Sequence, residues 1–87
     1  MTTNQRFSMT LYMILSGGEM RAPEGVLYAA LMAKGVTLNE FQSALGVLKR
    51  AGLVKSERFL LSLTATGIVK LRELDEVIGR ARRGAEA

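Results

Sequence analysis

The stretch LKRAGLVKSERFLLSLTATG, residues 48–67, changes its hydrophobic period partway along. Before it, Phe41, Leu45 and Leu48 repeat at intervals of four and three, which is helical spacing, and Gly52 ends the run after Ala51. From Leu53 the period shortens toward two: Leu53 and Val54 enter a strand, KSER is polar, and FLLSL leaves as a second strand. Thr64 or Thr66 can then cap a further helix. A helix, a tight hairpin and another helix thus follow one another without a linker, and few small folds accommodate that order.

The remaining segments are helical. Phe7, Leu11, Ile14 and Leu15 place a first helix over residues 4–16, with Gly17-Gly18 expected to break it. Met9, Tyr12 and Met13 make its other faces apolar as well, so it is either a central core helix or one shared between the core and a second subunit. Pro23 suits a first helical turn, which places a second helix over 23–34, with Leu27, Ala30 and Leu31 inward and Gly35 as its cap. Glu19-Met20-Arg21 is a candidate for a third, one-bridge strand. Thr37 and Glu40 have capping-box spacing and open a third helix over 38–51. The last helix is expected over 65–82, with Ile68, Leu71, Leu74, Val77 and Ile78 on one side and a frayed basic tail over 79–87. The fold class is mostly α with a small β-hairpin, in one domain.

Composition narrows the chemistry. The 87 residues include no cysteine and no histidine, which removes disulfides, thiolate and imidazole chemistry and the usual zinc ligand sets. No catalytic, metal or cofactor site is expected, and no nucleophile is linked to a base. Glu73, Asp75 and Glu76 read as a solvated helix face. The apolar runs MTLYMIL and GVLYAALMA are far shorter than the roughly 20 residues that span a bilayer, and no signal peptide is evident, so a cytoplasmic protein is expected. Twelve Lys and Arg against eight Asp and Glu give a net charge of +4, which permits a polyanionic partner without requiring one.

The run Leu45, Leu48, Ala51-Gly52-Leu53-Val54, then Leu63-Thr64 and Gly67, resembles MarR-like, PadR-like and ArsR-like winged helix-turn-helix proteins. That resemblance covers a little over half of the chain, from the second helix to the start of the last. It implies the order helix, short strand, helix, helix, two strands, helix, with the hairpin as the wing and the helix before it in the major groove of double-stranded DNA. Two features depart from the pattern: the wing is short, and Glu40 stands in the reading helix, where capping is its natural role.

On this basis phosphate contacts fall to Lys49, Arg50, Lys55 and Arg58, and base-edge contacts to Asn39, Gln42 and Ser43. The competing account of the same residues is a polar helix face in water. The stripe Leu71, Leu74 and Ile78, with the outer face of the first helix, suits a homodimer, although the stripe can also pack within the chain. The leading expectation is a dimeric transcriptional regulator; the alternative is a protein-protein interaction module on the same fold.

Overall fold

The structure, a computed structural model, describes residues 2–86, with the backbone alone described for 82, 83, 85 and 86. The elements are α1 (Thr3–Glu19), α2 (Glu24–Met32), α3 (Leu38–Arg50), β1 (Val54–Glu57), β2 (Leu60–Leu63) and α4 (Ala65–Glu86). Four helices and one antiparallel hairpin thus make up the described chain.

Helix α1 begins at a capping box that periodicity alone does not reveal. The Thr2 hydroxyl accepts from the Gln5 amide at 3.1 Å, and the Gln5 side chain accepts from the Thr2 amide at 2.8 Å. The helix does not stop at Ser16 but runs through Gly17 and Gly18. Both glycines are buried, and a Cβ would lie 2.9 Å from Leu27 Cδ2 at the first and 2.9 Å from Leu63 Cδ2 at the second. They permit close approach of α2 and β2, a packing demand that outweighs their low helix propensity.

Helices α1, α2 and α3 end in the same way. The amides of Arg21 and Ala22 donate to the carbonyls of Gly18 and Gly17; those of Gly35 and Val36 donate to Met32 and Leu31; those of Gly52 and Leu53 donate to Lys49 and Leu48. Each is a Schellman pair, which requires one left-handed residue just beyond the helix. That residue is Gly35 after α2 (φ 91°) and Gly52 after α3 (φ 73°), but Arg21 after α1 (φ 54°).

The second helix is shorter than its sequence suggests, because Pro23 stands outside it as the N-cap and pairs with Leu60 in an isolated antiparallel bridge. The Leu61 amide reinforces that bridge by donating to the Ala22 carbonyl at 3.0 Å. The third strand expected at residues 19–21 is therefore displaced to 22–23, since α1 still occupies Glu19. On α2, Leu27 and Leu31 are buried, whereas Ala30 faces outward.

In the hairpin Val54 pairs with Leu63 and Glu57 with Leu60, leaving only Arg58 and Phe59 for the turn. The polar KSER segment is thus mostly strand rather than turn. Lys55 and Glu57 are polar because they point away from the core, on the face opposite Val54 and Leu61.

Thr64, not Thr66, caps α4, its hydroxyl accepting from the Gly67 amide at 3.0 Å. The helix continues to Glu86, beyond the expected end at 82. The proposed fraying of the basic tail falls partly on residues whose side chains lie outside those described, Arg82 and Arg83 among them. The apolar stripe of α4 is narrower than expected. It centres on Leu71, Leu74 and Ile78, which puts Ile68 and Val77 about a quarter turn to either side, and they are 40% and 53% exposed.

The core comprises Ile14, Leu15, Leu27, Leu31, Val36, Phe41, Ala44, Leu45, Leu48, Val54, Leu61 and Leu71, drawn from every element. Removing each large aliphatic side chain from water contributes roughly 2 kcal/mol. Tyr28 closes one side, its ring 5.4 Å from that of Phe41. No helix of the described residues is long and apolar enough to cross a membrane.

Candidate nucleic-acid interface

Helix α3 is fixed at both ends, which sets the rotation of its outer face. The Thr37 hydroxyl accepts from the Glu40 amide, and Glu40 Oε1 accepts from the Thr37 amide, both at 3.1 Å. Glu40 Oε2 also accepts from Arg6 Nε at 2.6 Å, tying α3 to α1. The Thr37 amide and the Arg6 guanidinium together hold the Glu40 carboxyl below its ordinary pKa. Glu40 is therefore a structural residue, as its capping-box spacing indicates.

With Phe41, Ala44, Leu45 and Leu48 inward, the exposed face carries Asn39, Gln42, Ser43, Lys49 and Arg50. The Arg50 side chain folds back one turn along this face: its Nη1 lies 3.6 Å from the point where a Cβ on Gly46 would stand. Among the described residues Arg50 forms no ion pair, so its charge sits free over the middle of the helix.

Lys49 differs, because Nζ is 3.6 Å from Glu24 Oε1. Glu24, in the first turn of α2, also accepts a hydrogen bond from the Ser56 hydroxyl, so one carboxylate joins α2, α3 and β1. Local sequence places four cations against Glu57 alone across residues 49–58; the tertiary structure adds Glu24 to that balance. No local pattern reveals this, since Glu24 lies 25 positions before Lys49.

The expected site residues fall on more than one surface. Gln42 and Lys49 line a groove of about 470 Å³ between α2 and α3, floored by Tyr28, Phe41 and Leu45. Lys55 and Arg58 line a different cleft, of about 590 Å³, bounded by the outer face of the hairpin, the end of α1 and the start of α4. Asn39, Ser43 and Arg50 lie on the exposed surface of α3 and line neither. The second cleft also holds Arg21, which no sequence pattern singles out as a site residue: its place depends on the turn after α1 bringing it beside the hairpin.

A third, apolar groove of about 590 Å³ separates α1, the end of α3 and α4, lined by Met9, Leu11, Tyr12, Val47, Leu74 and Ile78 among others. It includes two of the three residues expected at a dimer interface. The third, Leu71, is 2% exposed within its own chain and is occupied there. Asp75, read as part of a solvated face, accepts a hydrogen bond from the Tyr12 hydroxyl beside this groove.

No protein-family model matches the chain, and no curated protein or solved structure is similar to it at a significant level.

Proposed function

We propose that the protein is a winged-helix DNA-binding protein acting as a dimeric transcriptional regulator in the cytoplasm. The observation that carries this reading is the outer face of α3. It is exposed, capped at its start, followed directly by a hairpin, and lined by Asn39, Gln42, Ser43 and an unpaired Arg50. Amide and hydroxyl side chains suit base edges, and the cations suit phosphates. Lys49 would exchange Glu24 for a phosphate on binding. A second copy would cover Leu74 and Ile78 in the groove against α1, without Leu71.

Fluorescence anisotropy with mixed duplex DNA, at low and moderate salt, tests the reading. Affinity is expected to fall with salt, and to fall further in the double variant Lys49→Ala, Arg50→Ala. Absence of binding at low salt would overturn it. The second reading, a protein-interaction module, is favoured by the apolar groove and by the carboxylate already engaging Lys49. It expects no salt-dependent DNA binding and no effect of the double variant on partner capture.

A further inference from the structure

Among the described residues, three that are not glycine adopt positive φ: Arg21 at 54°, Arg58 at 51° and Phe59 at 65°. Left-handed backbone is unfavourable for an ordinary L-residue, and glycine or asparagine avoids most of that cost. The chain uses glycine where the same conformation ends α2 and α3, so Arg21 is an exception within one molecule. Arg58 is a second exception, since a two-residue hairpin turn with both residues at positive φ ordinarily takes Asn-Gly.

Both exceptional arginines line one cleft. Arg21 enters it from the turn after α1 and Arg58 from the hairpin tip, with Lys55 on the strand between. Neither arginine has a carboxylate within ion-pair distance among the described residues, although Glu19 and Glu57 also line the cleft. Glu57 is engaged by Lys55 at 3.6 Å. The tip is held in place, because the Phe59 carbonyl accepts from the Glu24 amide at 3.0 Å and Leu60 bridges to Pro23. Two unpaired guanidiniums are thus presented from fixed backbone, at positions where glycine or asparagine would meet the same conformation at lower cost.

We propose that this cleft is a phosphate-binding site, in which Arg21 and Arg58 grip the oxygens and Lys55 exchanges Glu57 for the phosphate. Guanidinium groups suit phosphate because their paired N–H donors match its oxygens. The phosphate is a backbone phosphodiester of DNA lying beyond the α3 footprint, or a free phosphorylated solute. The first source rests on the DNA-binding reading; the second does not.

The test uses Arg21→Asn, Arg58→Asn, because asparagine tolerates left-handed backbone and removes both charges without disturbing the fold. Duplex affinity is measured against salt, and amide NMR shifts are followed with duplex and separately with pyrophosphate. For the DNA source, the slope of log affinity on log salt becomes shallower by about two units in the variant, and duplex moves the amides of Arg21, Lys55 and Arg58. For the solute source, pyrophosphate moves those amides in the native chain but not in the variant, with the duplex slope unchanged. The same pyrophosphate shifts with no duplex binding at all would overturn the DNA reading and leave this site standing. Duplex binding with an unaltered slope in the variant, and no pyrophosphate shifts, would overturn the phosphate site alone.

Discussion

The root and the tip of the hairpin meet their backbone demands in opposite ways. At the root, Gly52 supplies the left-handed residue after α3, and the Leu53 carbonyl accepts from the Thr64 amide at 3.1 Å. The Thr64 hydroxyl donates to the Gly52 carbonyl and accepts from Gly67, closing α3, the hairpin and α4 into one knot. At the tip, and at the neighbouring end of α1, the same left-handed conformation falls on Arg58, Phe59 and Arg21. Every root residue is the type its geometry asks for, and none of those three is. The root is built for stability, whereas the tip retains side chains that stability alone would not select.

The largest expected effect comes from breaking the root. A Cβ on Gly67 would stand 1.9 Å from the Leu53 carbonyl oxygen and 2.9 Å from its carbon, both backbone atoms that cannot rotate away. Alanine ordinarily favours a helix over glycine by about 1 kcal/mol. Here Gly67→Ala should instead destabilise by about 3 kcal/mol, because the strand and helix must separate. Thermal unfolding should show Tm lowered by roughly 12 °C or more. An unchanged or raised Tm would show that the root is not sterically closed.

Relieving the tip should act the other way and more weakly. Arg58→Asn with Phe59→Gly installs the turn pair that two positive φ values favour. Phe59 is 84% exposed, so its removal sacrifices little packing. The Phe59 carbonyl, which holds the Glu24 amide, belongs to the backbone and remains. A gain of about 1 kcal/mol is expected, read as Tm higher by roughly 4–8 °C. A loss would mean that the native tip side chains make stabilising contacts, and the case for a retained functional cost would fail.

The same contrast separates what the sequence makes legible from what it does not. The root is legible because its signals are local: Gly52 after a helical run, a period changing at Leu53, and threonines at 64 and 66 available as a cap, between which only the folded structure chooses. The box at Thr37 and Glu40 was legible for the same reason, and it fixed the start of α3 at the expected residue. Gly17-Gly18 reads as a break because propensity is local, whereas the reason α1 passes through it is contact with Leu27 and Leu63, distant in sequence. The tip is illegible for a related reason: Arg and Phe carry no turn signal, so polarity alone points to KSER as the turn, whereas Lys55, Ser56 and Glu57 are strand. Of the candidate site, the α3 face was legible from helical spacing. Glu24 beside Lys49, and Arg21 beside Arg58, exist only once the chain has folded.

The smallest expected effect lies at the α1–α3 junction, remote from the hairpin, and it serves as a control on the comparison. Glu40 has a pKa below its ordinary value in the folded chain, owing first to the Thr37 amide and then to Arg6. A lowered folded pKa contributes stability that is present above the unfolded value of about 4.3 and is lost as pH falls through the folded value. Acidification from pH 6 to pH 3 should therefore weaken the junction, but only slightly, because both side chains reach solvent. Glu40→Gln keeps the capping-box pattern while removing the charge that Arg6 pairs with, so its deficit in Tm should be present at pH 6 and shrink toward pH 3. Across the same range, the opposite shifts of Gly67→Ala and of the tip variant, each taken against the native chain, should hold steady, since neither change involves a group that titrates there. If the tip variant's gain instead grew on acidification, as Glu19 and Glu57 lose their charge and leave Arg58 facing Arg21 and Lys55, the advantage would be electrostatic, arising from removal of the Arg58 charge rather than from relief of left-handed backbone.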